Sequence, residues 1–221
     1  MSRGDLPQQV VIAAVWAYWL CVAVMVVRSR LRFRTSAGSK PRTRRERRMW
    51  LAWVPTVISW LILPCASLHT SSAILACPLL IRQHPAFPAV EWVGASLAVL
   101  AFLLTFPCWL GMGPSWSLAV VPNKKSQLIT SGMFARVRHP IYALSILLML
   151  ATVIAVPSWL MAGVALVHWT MLRMKAVSEE HYLLSLHGPQ YADYCQRTGR
   201  FLPRVFLGRQ GTGSSQCTIS Q

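Results

Sequence analysis

The chain has 221 residues, of which 54% are hydrophobic and only 13% are charged. Soluble domains carry roughly 25% charged residues, so this composition argues against a soluble protein and favours one that lies in a bilayer. A formal net charge of +16 would suggest nucleic-acid binding in a soluble protein. Here, however, Lys and Arg occupy the polar gaps beside apolar runs, where cytoplasmic loops meet anionic headgroups. The charge therefore predicts membrane lipids, and no nucleic acid, as partners.

The N-terminal half contains three apolar runs that are long enough to cross a bilayer. They cover residues 10–27, 50–68 and 87–111. Ten Lys and Arg residues fall in the gap 28–48, which predicts that this gap lies on the cytoplasmic side. Residues 71–80 are apolar but too few to cross alone, so we expect two crossings between the gap 28–48 and the next basic stretch.

A second apolar segment covers residues 141–174 and follows the basic stretch 124–138. Pro157-Ser158 divides it into halves of about 16 residues, or about 24 Å at 1.5 Å per residue. We therefore predict a hairpin of two short helices with its turn at Val156-Pro157-Ser158. The hairpin should return the chain to the side on which residue 138 lies, and residues 175–203 should form a helix on the cytoplasmic face.

Together these patterns predict an all-α, polytopic integral membrane protein with about five transmembrane helices. An N-terminal membrane region would cover residues 1–110. A second region, 111–206, would hold the hairpin and the polar residues that flank it, and the Gly- and Ser-containing tail 207–221 would be disordered. The six cysteines include no CxxC pair, so we expect neither a disulfide framework nor a metal site. His168, inside the hairpin, is typical of a buried, hydrogen-bonded histidine.

Two polar clusters flank the hairpin, about 40 residues apart in sequence. The first is Arg-Val-Arg-His-Pro-Ile-Tyr at residues 136–142, and the second contains Lys175, Glu179, Glu180 and His181. A guanidinium group binds a carboxylate in bidentate fashion, a carboxylate holds amino or ribose groups, and aromatic faces suit adenine or a cation. If the hairpin closes, these residue types suit S-adenosylmethionine.

The order of these motifs resembles the isoprenylcysteine carboxyl methyltransferase (ICMT) family, part of a wider group with the membrane phospholipid methyltransferases. The resemblance covers roughly residues 111–203. It is carried by the RHPxY box at 138–142, the hairpin, the Glu179-Glu180 pair, Gly-x-x-Tyr-x-x-Tyr at 188–194, and Phe-Leu-Pro at 201–203. Phe134 stands where the family often has tyrosine.

The resemblance implies that S-adenosylmethionine binds beneath a cap formed by the C-terminal helix. It implies these cofactor-binding residues: Arg138, His139, Pro140, Tyr142, Glu179, Glu180 and Tyr191. A prenyl or acyl chain would enter sideways from the bilayer. In the family an arginine before the glutamate pair faces the substrate carboxylate. Lys175 holds the matching position here, with Arg173 two residues earlier, and both are expected to serve catalysis together with Glu180.

The implied function is carboxyl O-methylation of an isoprenylcysteine-like or other lipid-borne acceptor. A carboxylate is already a nucleophile, so the enzyme would contribute positioning and exclusion of water. An amine acceptor would need a general base, and Glu179, Glu180 and His181 are the possible ones. Three alternatives remain: a phospholipid or amine N-methyltransferase, an NADPH-dependent enzyme resembling the sterol reductases, and a non-enzymatic membrane protein.

Overall fold

The computed structural model describes residues 6–33, 44–68, 78–113 and 128–204. Within these ranges the chain is helical almost throughout. The helices are α1 (Leu6–Phe33), α2 (Arg44–Ser67), α3 (Leu79–Arg82), α4 (Phe87–Met112), a 3-10 helix (Gly132–Ala135), α5 (Pro140–Ala155), α6 (Trp159–His187) and α7 (Pro189–Arg197). Strand-like pairing in these ranges is limited to one parallel bridge between Val137 and Gly199. The predicted all-α fold class is confirmed.

Three helices are long and apolar enough to cross a membrane, namely α1, α2 and α4. They coincide with the three runs predicted in the N-terminal half. The apolar helix α5 has 16 residues, which is short for a crossing, so the total of five crossings stays a prediction, as does the division at residue 110. Most of the segment 71–80 and the whole tail 207–221 lie outside the described residues.

The hairpin turn forms where the sequence predicts it. Helix α5 ends at Ala155, and α6 begins at Trp159. The Ser158 hydroxyl accepts a hydrogen bond from the Met161 backbone N–H at 3.1 Å, so Ser158 caps the first turn of α6. Pro157 cannot donate a backbone hydrogen bond, so it interrupts the helical hydrogen bonding between the two arms of the hairpin.

The second arm of the hairpin is longer than expected. The sequence predicts a boundary near Lys175, but α6 continues without interruption to His187. Its interior contains no proline, and the chain first turns at Gly188, whose φ of +51° favours glycine. The cytoplasmic helix predicted over residues 175–203 is therefore divided between the end of α6 and the short helix α7, so the glutamate pair lies on the hairpin itself.

Close packing of α4 against α5 fixes the position of the hairpin. A Cβ atom added to Gly94 would lie 3.0 Å from both the Ala151 carbonyl oxygen and the Ala155 Cβ atom. A polar contact from α2 also reaches α5, where the Trp60 indole N–H donates to the Thr152 hydroxyl at 3.0 Å. The bundle thereby holds the first turn of α5, which carries the RHPxY box, at one end of the hairpin.

Candidate active site

The RHPxY box lies at the entry to α5. Pro140 is the first residue of that helix, a position where its missing N–H costs nothing. His139 and Arg138 precede the helix in an irregular segment. Both are buried, with 7% of each residue exposed. The helix start thus places one cationic and one imidazole side chain inside the protein, next to the hairpin end.

A C-terminal strap, residues 198–202, covers this segment. The backbone N–H of Arg138 donates to the Gly199 carbonyl at 2.8 Å, and that of His139 donates to the Arg200 carbonyl at 3.0 Å. These bonds satisfy backbone groups that would otherwise be buried without partners. The strap therefore fixes the backbone of the box.

Glu180, on α6, is the centre of an ion-pair cluster. Its Oε1 accepts from Arg138 Nε at 2.9 Å, and Arg200 binds both carboxylate oxygens, with Nε to Oε1 at 3.0 Å and Nη2 to Oε2 at 2.7 Å. The His139 Nε2 atom lies 3.3 Å from Oε1, close enough for attraction but not aligned as a hydrogen bond. Two guanidinium groups and one imidazole therefore surround a single carboxylate.

The surroundings of Glu180 keep its side chain ionised. Burial, which leaves 9% of that side chain exposed, would raise its pKa. The approach of His139, the hydrogen bonds from Arg200 and the positive charge of Arg138 outweigh burial and hold the pKa well below its usual range. Glu180 is therefore a carboxylate with its oxygens occupied by protein groups, which suits an internal anchor.

Glu179 forms a second, more open centre beside the first. The Tyr142 hydroxyl donates to Glu179 Oε1 at 2.6 Å, and His139 Nδ1 lies 3.7 Å from Oε2. The rings of His139 and Tyr142 stack at 5.3 Å with an interplanar angle of 6°, and Lys175 Nζ lies 5.3 Å from the Tyr142 ring centroid. The Glu179 side chain is 19% exposed, so this carboxylate is more accessible than Glu180.

Most of the predicted site residues meet in one place. The cluster contains Arg138, His139, Tyr142, Lys175, Glu179 and Glu180, and Pro140 is buried at the start of α5. Arg173 lies apart, because it is exposed on α6 and forms no ion pair with either glutamate among the described residues. The hairpin therefore brings the two polar clusters together, as the site requires. Lys175 lies in the cluster, and Arg173 does not.

Tyr191, predicted as a cofactor ligand, lies on α7 beneath the surface. It is 1% exposed, and its ring centroid is 5.9 Å from that of Tyr194. Its hydroxyl is buried and makes no hydrogen bond of regular geometry within the described residues. Burial raises the pKa of this phenol, and the neighbouring Cys195 thiol adds to the shift. A buried donor without a well-formed bond is costly, so an acceptor on a ligand would stabilise this hydroxyl.

Sequence reasoning missed Arg200 and the strap that carries it. Arg200 stands directly before the Phe-Leu-Pro motif. The C-terminal segment is basic, so one more arginine there gives no sign of a functional role. Its role comes from a contact between residues 20 positions apart. A glutamate that is buried in the hairpin needs cationic partners. This need was the one signal that could have pointed to Arg200.

Comparison with known proteins agrees with this geometry. Residues 92–185 match the sequence model of the isoprenylcysteine carboxyl methyltransferase (ICMT) family. The nickel-cobalt-cadmium resistance protein NccN of Alcaligenes xylosoxydans xylosoxydans is 26% identical over 119 residues, 53% of this chain and 55% of that protein. The protein-S-isoprenylcysteine O-methyltransferase of Tribolium castaneum is 27% identical over 132 residues, 55% of this chain and 45% of that protein.

A plant relative covers more of its own length. Protein-S-isoprenylcysteine O-methyltransferase B of Arabidopsis thaliana is 26% identical over 164 residues, which are 63% of this chain and 83% of that protein. The chain spans about half the length of the first two relatives. The predicted resemblance is therefore confirmed: residues 92–185, which include the RHPxY box and both glutamates, are similar to the ICMT family.

Proposed function

We propose that this chain is an integral membrane methyltransferase that transfers the methyl group of S-adenosylmethionine to the carboxylate of a lipid-borne acceptor. One observation carries the proposal. The box at 138–142 and the pair Glu179-Glu180, about 40 residues apart in sequence, meet around His139 at one end of the hairpin. Neither motif alone provides a cationic group, a carboxylate and an aromatic face together.

The residues fit the cofactor by their chemistry. The Tyr191 hydroxyl, which is buried without a well-formed hydrogen bond, would donate to a cofactor oxygen, and the accessible Glu179 carboxylate would hold the amino or ribose groups. The stacked rings of His139 and Tyr142 offer an aromatic face to adenine or the sulfonium. Bound there, S-adenosylmethionine supplies an electrophilic methyl group. Glu180 would act by holding Arg138 and His139 in place.

The charge of the cluster favours a carboxylate acceptor over an amine. Three cationic side chains, Arg138, Arg200 and Lys175, surround the two carboxylates of Glu179 and Glu180. Arg138 and Arg200 balance the two glutamates, and Lys175 is a third basic group whose pKa is lowered by burial. An acceptor carboxylate would favour the protonated form of Lys175 in this largely buried place, where charges interact strongly, while an ammonium would disfavour it. Such an acceptor needs no general base, so the protein's contribution is orientation and exclusion of water.

Lys175 is the better of the two predicted acceptor-orienting residues. Its ammonium lies beside the Tyr142 ring at the Glu179 centre, whereas Arg173 is exposed elsewhere on α6. The apolar helices around the site suit an acceptor that carries a prenyl or acyl chain in the bilayer. The names of two relatives, both protein-S-isoprenylcysteine O-methyltransferases, favour isoprenylcysteine as the acceptor class.

Labelled methyl transfer by the purified protein tests the proposal. A prenylated cysteine with a free carboxylate should accept label from S-adenosylmethionine, and phosphatidylethanolamine should accept little. His139→Ala and Tyr191→Phe should each lower transfer at least about tenfold, which corresponds to 1.4 kcal/mol in the barrier. Arg82→Ala, an exposed position before α4, should leave transfer unchanged. Transfer to the amine alone would favour the N-methyltransferase, and NADPH binding without methyl transfer would favour the reductase.

A further inference from the structure

The strap at 198–202 is locked to the site in both directions. The Arg138 guanidinium, from the box, donates to the Thr198 and Cys195 carbonyls. Arg200, from the strap, reaches back to Glu180 on α6. The Glu180 carboxylate therefore binds two guanidinium groups, Arg138 from the box and Arg200 from the strap. Separating the strap from the box would break charge-assisted hydrogen bonds as well as backbone ones, and charge-assisted bonds are the stronger kind.

The two guanidinium groups differ in their access to water. The Arg138 side chain is 4% exposed and the Arg200 side chain is 31% exposed. An exposed charge that leaves its partner is rehydrated at once, whereas a buried one is not. Of the two ion pairs that Glu180 forms, the Arg200–Glu180 pair is therefore the one that can open at the smaller cost in solvation.

A sharp turn gives the strap its shape. A Cβ atom placed on Gly199 would lie 1.8 Å from the Leu202 carbonyl oxygen, so the backbone folds back on itself in a way that only glycine permits. After this turn, the Phe201 ring lies 6.2 Å from the His139 ring. The strap thus brings both a charged and an aromatic side chain to the site from a segment of five residues.

We propose that residues 198–202 form a latch that closes the cofactor site, and that Arg200 is the bond whose opening admits and releases the cofactor. The ligand's identity rests on the proposed function, but the latch itself does not. Arg200 acts here as a positioning residue. In the closed state it fixes Glu180 and thereby Arg138 and His139. After it opens, the strap leaves the box once the Arg138 bond to the Thr198 carbonyl and the backbone bonds also break, and Arg138 keeps Glu180 as its partner.

Hydrogen–deuterium exchange of the full-length protein in detergent tests the latch without a ligand. Peptides that span 136–142 and 198–204 contain the amides of Arg138, His139 and Gly199, which the strap pairing protects. Arg200→Gln should speed their exchange about tenfold, since one bidentate charged contact is lost. Arg200→Lys should be intermediate, because an ammonium lacks the planar fork. Gly199→Ala should speed exchange by displacing the strap without changing any charge.

Two controls match these variants. Arg197 lies three residues before Arg200 and forms an exposed ion pair with Asp193. Arg197→Gln removes that pair and should alter exchange less than twofold. Gly163→Ala adds a methyl group where nothing lies within 4 Å and should have no effect. Equal exchange in Arg200→Gln and Arg197→Gln would overturn the latch, whatever the protein binds.

Ligand exchange supplies the second readout. S-adenosylhomocysteine should slow exchange in the strap peptides of the wild type, and its dissociation should be about tenfold faster from Arg200→Gln than from Arg197→Gln. Unchanged dissociation would overturn the role of the latch in cofactor release. If the wild type shows no protection and no methyl transfer, the proposed function fails, while the ligand-free exchange data still decide whether the strap is a latch.

Discussion

At the scale of single residues, Glu180 shows how a buried carboxylate can have a structural role in a candidate binding site. Removing one member of a buried ion pair leaves an uncompensated charge, which costs about 3–5 kcal/mol. Glu180→Gln would leave both Arg138 and Arg200 without their carboxylate. Glu179 is more exposed and accepts from a neutral phenol, a bond that glutamine can keep. The two adjacent glutamates should therefore respond very differently to the same substitution.

The stability of the protein should fall at acidic pH through Glu180. The pKa of this side chain is lowered in the folded state, so its contribution is fully present above the unfolded value, about 4.3. It should be lost progressively as the pH falls below that value towards the folded pKa. Thermal unfolding in detergent at pH 7, 4 and 3 would measure this. Glu180→Gln should start lower at pH 7 and lose less on acidification, and parallel curves for the two proteins would contradict the assignment.

The sequence predicts the members of this cluster better than their bonds. The residue types in the box and in the glutamate pair are local features, so Arg138, His139 and Glu180 could be named in advance. Which carboxylate is saturated and which is accessible depends on Arg200, which arrives from a separate segment. Tertiary pairing of an irregular strap has no periodicity in the sequence, so neither the strap nor the different roles of Glu179 and Glu180 could be predicted.

At the scale of helices, the hairpin turn could be predicted because Pro157 and Ser158 act locally. The end of the second arm could not, since composition changes at Lys175 while helix propensity does not. Helix α6 simply continues from an apolar environment into a polar one. This continuity matters for the site, because one rigid helix carries His168 in the bundle and Glu180 in the ion-pair cluster. The site is therefore coupled to the packing of the bundle.

Gly94 offers a test of the packing between α4 and α5 in this bundle. An alanine there would place its Cβ 3.0 Å from Ala155 and from the Ala151 carbonyl, so α5 would have to move away from α4. Overpacking of this kind costs about 1–3 kcal/mol. We expect Gly94→Ala to lower the free energy of unfolding by that amount, measured by denaturation in detergent. Gly163→Ala, in open space on α6, is the matched control, and equal stability of the two variants would refute close α4–α5 packing.

At the scale of the whole molecule, helix directions gather the polar clusters at one end. Gln8 donates to Glu91 at 2.8 Å, and the rings of Tyr18 and Trp109 lie 5.7 Å apart, so α1 and α4 run parallel. The C-terminal end of α4 also meets the 3-10 helix before the box, where Cys108 Sγ lies 3.3 Å from Met133 Sδ. The end of α1 that leads into the basic gap 28–48 therefore lies on the same side of the bundle as the site.

This arrangement predicts opposite membrane sides for two exposed arginines. Arg82 precedes the first residue of α4. Arg136 follows the 3-10 helix, which lies at the C-terminal end of α4. A helix of 26 residues spans about 39 Å, which exceeds the hydrocarbon thickness of about 30 Å. An impermeant maleimide should label Arg136→Cys from the cytoplasmic side, where basic gaps collect, and Arg82→Cys only from the other side. The unsubstituted chain gives the background. Labelling of both positions from one side would place α4 within a single leaflet or along the surface, and the acceptor could then not reach the site from the bilayer as proposed.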